Sequence, residues 1–268
     1  MRRALRVAAA LAALASAAGC KSRAPSSAAG PRLAAPSAAD APALYAAGKA
    51  ALENKRLAEA VDDFTRATAT ATDPELRANA WLALGAAYGE EGDETRAIAA
   101  YEQVTVLRPD DADAWRVLAE GMAAAGKRDR QAAALEHLIA IDPDDLSAYL
   151  DLAGLDVTIG KAEQSKDVYL RYEGRRREAL MALGKAKDVA TRTAAAEALG
   201  GARDAGTARA LVLALTDKEP LVRVACAEAL ARIGVDIDPD VRPALAALMK
   251  KEKDARVRAA VEEALATR

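Results

Sequence analysis

The side chains most able to do chemistry in this 268-residue chain are one histidine, His137, and two cysteines, Cys20 and Cys226. Hydrolysis needs a nucleophile held beside a base, and no recognised motif sets a serine or cysteine next to His137. Inside its predicted helix, His137 is read as a surface or packing residue. A zinc site wants several Cys or His ligands, and none cluster, so no metal or cofactor is expected. The glycines fall at predicted helix turns and form no phosphate-binding loop. The paired acids Asp110 with Asp111 and Asp144 with Asp145 follow Pro109 and Pro143. At such places carboxylates favour the start of the next helix. This inventory points away from an enzyme and towards a body that works through its surfaces.

Those surfaces must be helical. Alanine is abundant, aromatics are 3% of residues, and strand-like runs of Val, Ile, Thr and Tyr are missing, as suits closely stacked helices. Landmark residues recur every 34 positions, beginning with Trp81, Leu84, Gly85, Tyr88, Ala97, Tyr101 and Pro109. The next copy keeps Trp115, Leu118, Ala119, Leu135 and Pro143, and the turn glycine steps from Gly92 to Gly126 to Gly160. Such a period means stacked helical repeats. The second unit predicts helices over 78–91 and 94–107. An earlier unit shows in Gly48, Ala60, Phe64 and Ala67, offset by three extra residues around Thr70 to Pro74. A degraded fourth keeps Tyr149, Leu152, Ala153, Gly160 and Tyr169 but has Ser165 where the pattern prefers alanine. These residues resemble the tetratricopeptide repeat.

From about Arg175 a different string takes over: Arg, any, Ala, any two, then Glu, Ala, Leu. It occurs at Arg192 to Leu199, Arg223 to Leu230 and Arg258 to Leu265, with spacings of 31 and 35 residues. Each arginine has an acid four residues before it (Asp188, Glu219, Asp254). That spacing predicts a carboxylate in the first helical turn and an i, i+4 ion pair. Intervening helices are expected near 205–215 and 240–251. The string is similar to HEAT-like repeats of the short bacterial type. The fold expected is therefore all-α: a helical-repeat solenoid, with a tetratricopeptide array of three to four units over 43–174 and about three HEAT-like units over 175–268. The arrays are expected to abut at residues 172–180.

The first residues run from a basic start (Arg2, Arg3, Arg6) through an apolar stretch, Val7 to Ala18. That stretch is shorter than the roughly 20 residues a membrane span needs, and reads as a secretory signal over 1–19. Its end, Ser16, Ala17, Ala18, Gly19, Cys20, resembles the lipobox of bacterial lipoproteins, in which the cysteine is acylated and begins the mature chain. Ala17 stands where that family usually has leucine. The competing reading cleaves after Ala17, using the small pair Ala15 and Ala17, and leaves Cys20 an ordinary thiol. Residues 20–42, mostly Ala, Ser and Pro, bury too little to offset ordering entropy and read as a flexible tether. Acyl chains contribute about 0.8 kcal/mol per buried CH₂, so a multiply acylated Cys20 would hold the chain to a bilayer. Cys226 lies in the apolar stripe Val222, Cys226, Leu230 and reads as a buried structural thiol.

Charge is unevenly laid out. Residues 1–42 carry six bases and one acid, 43–170 thirteen and twenty-four, and 171–268 nineteen and fifteen. The segments are thus +5, −11 and +4. An acidic first array is a poor nucleic-acid surface, and the one dense basic run, Arg175, Arg176 and Arg177, reads as solvated helix at the repeat junction.

The tetratricopeptide resemblance implies a concave groove lined by the first helix of each unit, here including Tyr45, Lys49, Asn79, Leu82, Glu90, Arg116, Glu120, Leu150 and Val157. A subset of that family grips a terminal carboxylate with Lys and Asn. This chain has Lys49 but Ala86, Glu120 and Gly154 at comparable places, so the clamp is unsupported. The expected partner is a helix or extended segment of another envelope protein, with no small-molecule substrate. The expected location is the bacterial cell envelope, lipid-anchored at the periplasmic face of the outer membrane. Some proteins with similar HEAT-like repeats attach bilin chromophores, which makes a bilin lyase or enzyme accessory protein the alternative, although no catalytic residue carries over.

Overall fold

The computed structural model describes residues 40–267, so the signal, Cys20 and almost all of the expected tether lie outside the described residues. Thirteen helices and no strand form among those described. The first eight make four pairs: α1 (Ala41–Glu53) with α2 (Leu57–Thr70), α3 (Pro74–Glu91) with α4 (Glu94–Leu107), α5 (Ala112–Ala124) with α6 (Arg128–Ile141), and α7 (Leu146–Thr158) with α8 (Ala162–Lys185). Each pair stacks on the next through α2 with α3, α4 with α5, and α6 with α7.

Local chemistry sets these boundaries. The Asp73 carboxylate accepts from the amides of Glu75 and Leu76, and Pro74 suits the first turn, so α3 begins four residues before the expected 78. Asp111 and Asp145 likewise accept from the amides two and three residues on, which is the capping role the paired acids suggested. The turn glycines Gly92, Gly126 and Gly160 have φ of 79°, 66° and 80°, a left-handed conformation that other residues adopt only with strain. A Cβ on Gly85 would collide with the ring of Tyr101, so the landmark pair is one close helix contact.

Aromatics at equivalent places tie the third and fourth repeats to the loops before them. Trp115 Nε1 donates to the Pro109 carbonyl at 2.8 Å, and the Tyr149 hydroxyl donates to the Pro143 carbonyl at 3.2 Å. The degraded fourth unit is fully helical, because buried Ser165 donates its hydroxyl to the Ala153 carbonyl at 2.8 Å. A satisfied polar group costs little where an orphaned one would not.

The second array comprises α9 (Val189–Leu199), α10 (Ala205–Ala214), α11 (Pro220–Ile233), α12 (Val241–Lys251) and α13 (Ala255–Ala266). Helices α9, α11 and α13 stack as one layer, α10 contacts α12, and α8 packs on both α9 and α10. The expected boundary between 174 and 175 falls inside α8, a 24-residue helix that runs unbroken from one array into the other. One core extends from Ile98 through Leu138, Leu152, Leu199 and Leu230 to Ala264.

The expected i, i+4 pairs do not form. Asp188 and Asp254 turn to the amides of Thr191 and Arg256 at the starts of their own helices. Arg192, only 7% exposed, instead reaches Asp217 with Nε and Nη2 at 2.8 and 3.0 Å. Arg223 makes the same fork to Glu252 at 2.7 and 3.0 Å. Their Nη1 groups donate to the loop carbonyls before each helix, including Lys187 and Asp217 at 2.9 and 2.8 Å. The third arginine, Arg258, reaches only carbonyls, at 3.5 Å. A buried guanidinium needs a carboxylate and several acceptors, and Asp217 and Glu252, with the loop carbonyls beside them, supply both for Arg192 and Arg223.

Candidate functional site

The two arrays meet at a cleft of about 600 Å³. Arg116, Asp145 and Ser147 line it from the first array, and Glu197, Arg203 and Arg232 from the second. Two contacts join the arrays beside it. Arg203 pairs with Asp151 at 3.0 Å, and the turn after α9 approaches α7 so closely that a Cβ on Gly201 would lie 2.8 Å from the Ser147 amide nitrogen. Arg116 donates to Asp113 at 2.6 Å and Asp145 at 2.7 Å. Burial raises the pKa of the Asp145 carboxyl, but its bonds from Ser147 and Arg116 outweigh that and hold it below the usual carboxylate range. Burial likewise works against the Arg116 cation, which the bond to Asp145 holds charged.

A second groove of about 470 Å³ continues along α9, α11 and α13, between Glu197, Glu228 and Glu263 and over Ala231 and Ala260. These three glutamates occupy the same place in the three motif copies. Their side chains make no hydrogen bond or ion pair among the described residues. Arg232 lies at the join of the two recesses and donates to the Glu197 carbonyl at 2.9 Å.

The groove residues named from sequence divide by environment. Tyr45 tilts against Phe64 with ring centroids 5.9 Å apart, and Lys49 sits over the Tyr45 ring. Asn79 is held by Arg108, whose Nη2 donates to its side-chain oxygen at 2.9 Å. Glu90 pairs with Lys55 at 2.8 Å and lines a shallow recess at the α3 to α4 turn. Arg116 stands in the inter-array cleft, and Glu120 lines a smaller recess beside Tyr101. Leu82 and Leu150 are half-buried, and Val157 is 62% exposed.

Sequence reasoning missed the second-array half of the cleft, namely Glu197, Gly201, Arg203 and Arg232. The available signal was the Gly200 and Gly201 doublet, which follows the first motif copy and neither of the others.

The reactive side chains are accounted for by packing. His137 stacks on Trp115 with centroids 4.3 Å apart and the planes 17° off parallel. Cys226 is fully buried, and burial pushes its thiol up to about 12, so the nucleophilic thiolate is suppressed. Among the described residues, no three potential metal ligands cluster and no helix is long and apolar enough to cross a membrane. In the basic run, Arg176 bonds Glu173 at 2.8 Å and Asp204 at 3.4 Å within the chain, and Arg175 bonds Glu178.

Residues 177–266 match a family model described as HEAT repeats, and residues 78–121 match one described as tetratricopeptide repeat. No curated protein matches the chain significantly. Solved structures similar to it include MamA, residues 41 to the end, from Desulfovibrio magneticus RS-1, at 20% identity and TM-score 0.41 over 52% of this chain and 77% of that one. A second MamA crystal structure is 14% identical with TM-score 0.43, covering 80% of this chain and 96% of its own. The myosin chaperone UNC-45 from C. elegans, solved in complex with an Hsp90 peptide, is 17% identical with TM-score 0.38 over 84% of this chain and 28% of that one. The chain is an all-α repeat protein in which residues 78–121 are similar to tetratricopeptide repeats and residues 177–266 to HEAT repeats.

Proposed function

We propose that this protein is a membrane-anchored scaffold of the bacterial cell envelope, holding a partner protein in the grooves of its two repeat arrays and catalysing nothing itself. The observation that carries this reading is the inter-array cleft. It is open and lined by side chains of both arrays, and its Ser147 hydroxyl is spent on the Asp145 carboxylate at 2.6 Å, which also caps α7 and pairs with Arg116. Side chains in such a recess offer mixed polar and apolar contacts to a helix or extended segment. The anchor rests on sequence alone: the basic and apolar start, the small residues before Cys20, and the Ala, Ser and Pro stretch after it. Groove residues Tyr45, Lys49, Asn79, Leu82, Glu90, Arg116, Glu120, Leu150 and Val157 are proposed as the first array's share of the binding surface.

Two measurements test the reading. A photo-crosslinker placed at Arg203, in the cleft, should capture a discrete envelope protein, while the same group at exposed Leu213 on α10 should not. Equal capture at both positions, or none at either, removes the groove. Intact mass of membrane-extracted protein, beside a Cys20→Ser control, should show a lipid-sized increment that the control lacks. An unmodified chain beginning near Ala18 makes it a free exported protein.

A further inference from the structure

A recess of about 210 Å³ lies between α3, α4 and α5 on the first array. It is smaller than the roughly 300–1,000 Å³ of small-molecule sites and is on the scale of one long side chain. Ala97, Val117, Ala124 and the ring of Tyr101 give it apolar walls. Glu94 and Glu120 stand on its rim, both exposed, and neither side chain has a hydrogen bond or ion pair among the described residues. Burial first, and the charge of Glu120 second, hold the Tyr101 phenol above its ordinary range, so an added negative charge is disfavoured here.

The arginines of the larger cleft are already engaged: Arg116 by Asp113 and Asp145, Arg203 by Asp151, and Arg232 by the Glu197 carbonyl. The glutamates of the small recess have no such partner. A shaft that is apolar inside and anionic at its mouth complements a side chain with a hydrocarbon stem and a cationic head. The array around it carries thirteen bases against twenty-four acids over 43–170, a field that steers basic segments towards it.

We propose that this recess is the anchor site for a lysine or arginine side chain of a basic partner segment, with the stem against Tyr101, Ala97 and Val117 and the charged head between Glu94 and Glu120. The proposal rests on the reading of the chain as a partner-binding scaffold and names the partner's chemistry.

The test titrates the full chain with short peptides built of Lys-Gly-Ser repeats, and with counterparts in which norleucine or glutamate replaces lysine, while following the amide resonances of Gly89, Gly92 and Gly121. The lysine peptide should shift these three signals saturably, and the other two peptides should not. Glu94→Gln with Glu120→Gln should weaken the lysine peptide by about five- to tenfold, the scale of one or two exposed charge pairs. Val117→Phe, which fills the shaft and keeps both carboxylates, should abolish the shifts at an unchanged melting temperature. Equal binding of the norleucine peptide, indifference to the double variant, or unmoved glycine signals at millimolar peptide each overturns the proposal. If the partner crosslinked at Arg203 is captured equally by the double variant, the anchor site fails and the scaffold stands. If the unaltered chain crosslinks to nothing, the scaffold reading itself fails.

Discussion

The two arrays solve one problem, coupling each repeat to the next, with different chemistry. In the first array the close contacts are apolar, such as Gly85 against Tyr101, and most ion pairs between successive units are exposed: Lys55 with Glu90, Lys161 with Asp129, Arg171 with Glu136, unlike Arg116 with Asp145, whose side chain is 9% exposed. In the second, Arg192 with Asp217 and Arg223 with Glu252 are largely buried forks that join an inner helix to the loop opening the next unit. Exposed pairs contribute about 0–1 kcal/mol. Removing one partner of a buried pair costs several times that, because the other charge is left uncompensated. The first array should therefore be sensitive to shape and the second to charge.

The sharpest break in that comparison is Arg223→Leu, which strands the Glu252 carboxylate and the loop carbonyls of Asp217 and Lys218. Destabilisation of about 3–5 kcal/mol is expected, seen by hydrogen exchange as lost protection in α11 to α13 with α1 to α6 little changed. Uniform loss across both arrays would mean that they unfold as one unit. The counterpart in the first array is Gly85→Leu, which overpacks the Tyr101 contact at an expected cost of about 1–3 kcal/mol. Its effect should appear in α3 to α5, and an unmoved melt would deny that the contact matters.

Acid separates the arrays without mutation. Burial opposes ionisation of Asp217, but the Arg192 hydrogen bond holds its pKa below the ordinary value; the hydrogen bond from Arg223 does the same for Glu252. A carboxyl whose folded pKa is depressed contributes stability that is fully present above the unfolded value, about 4, and is lost as pH falls through the lower folded value. The second array should accordingly lose protection first as pH drops below about 4. In the first array Asp145 and the half-buried Asp93 share this property. Proteolysis at acid pH that cuts 43–160 before 189–266 would contradict the ranking.

Much of this layout was legible in the chain, and the reason is locality. A 34-residue period, a turn glycine and a capping aspartate act within one repeat or between equivalent places in neighbours, so Gly92, Asp111 and Tyr101 signal their roles directly. The arginine partners were not legible. Asp217 and Glu252 lie 25 and 29 residues beyond their arginines, in loops whose own spacing varies. The acid four residues upstream looked like the natural partner because helix-surface rules cover only residues three or four apart, but Asp188 and Asp254 cap their own helices and their carboxylates pair with no arginine four residues on. The cleft was hidden for a related reason. It exists because α8 runs through the change of period and brings the Gly201 turn against the start of α7, a contact between residues about 54 apart that no repeat pattern encodes.

That contact supports the smallest of the expected effects. Arg203 and Asp151 are both exposed at the mouth of the cleft, so Arg203→Ala should cost at most about 1 kcal/mol and leave the melt nearly unmoved. The approach of the arrays is set instead by Gly201, where even one added carbon would crowd the Ser147 amide. Gly201→Ala should thus disturb protection at α7 and α9 together, while Arg203→Ala changes only the charge presented to a bound partner. If Arg203→Ala instead loosens α7 and α9 as Gly201→Ala does, the surface pair holds the arrays together. The rule separating shape from charge would then fail at the place where the two arrays meet.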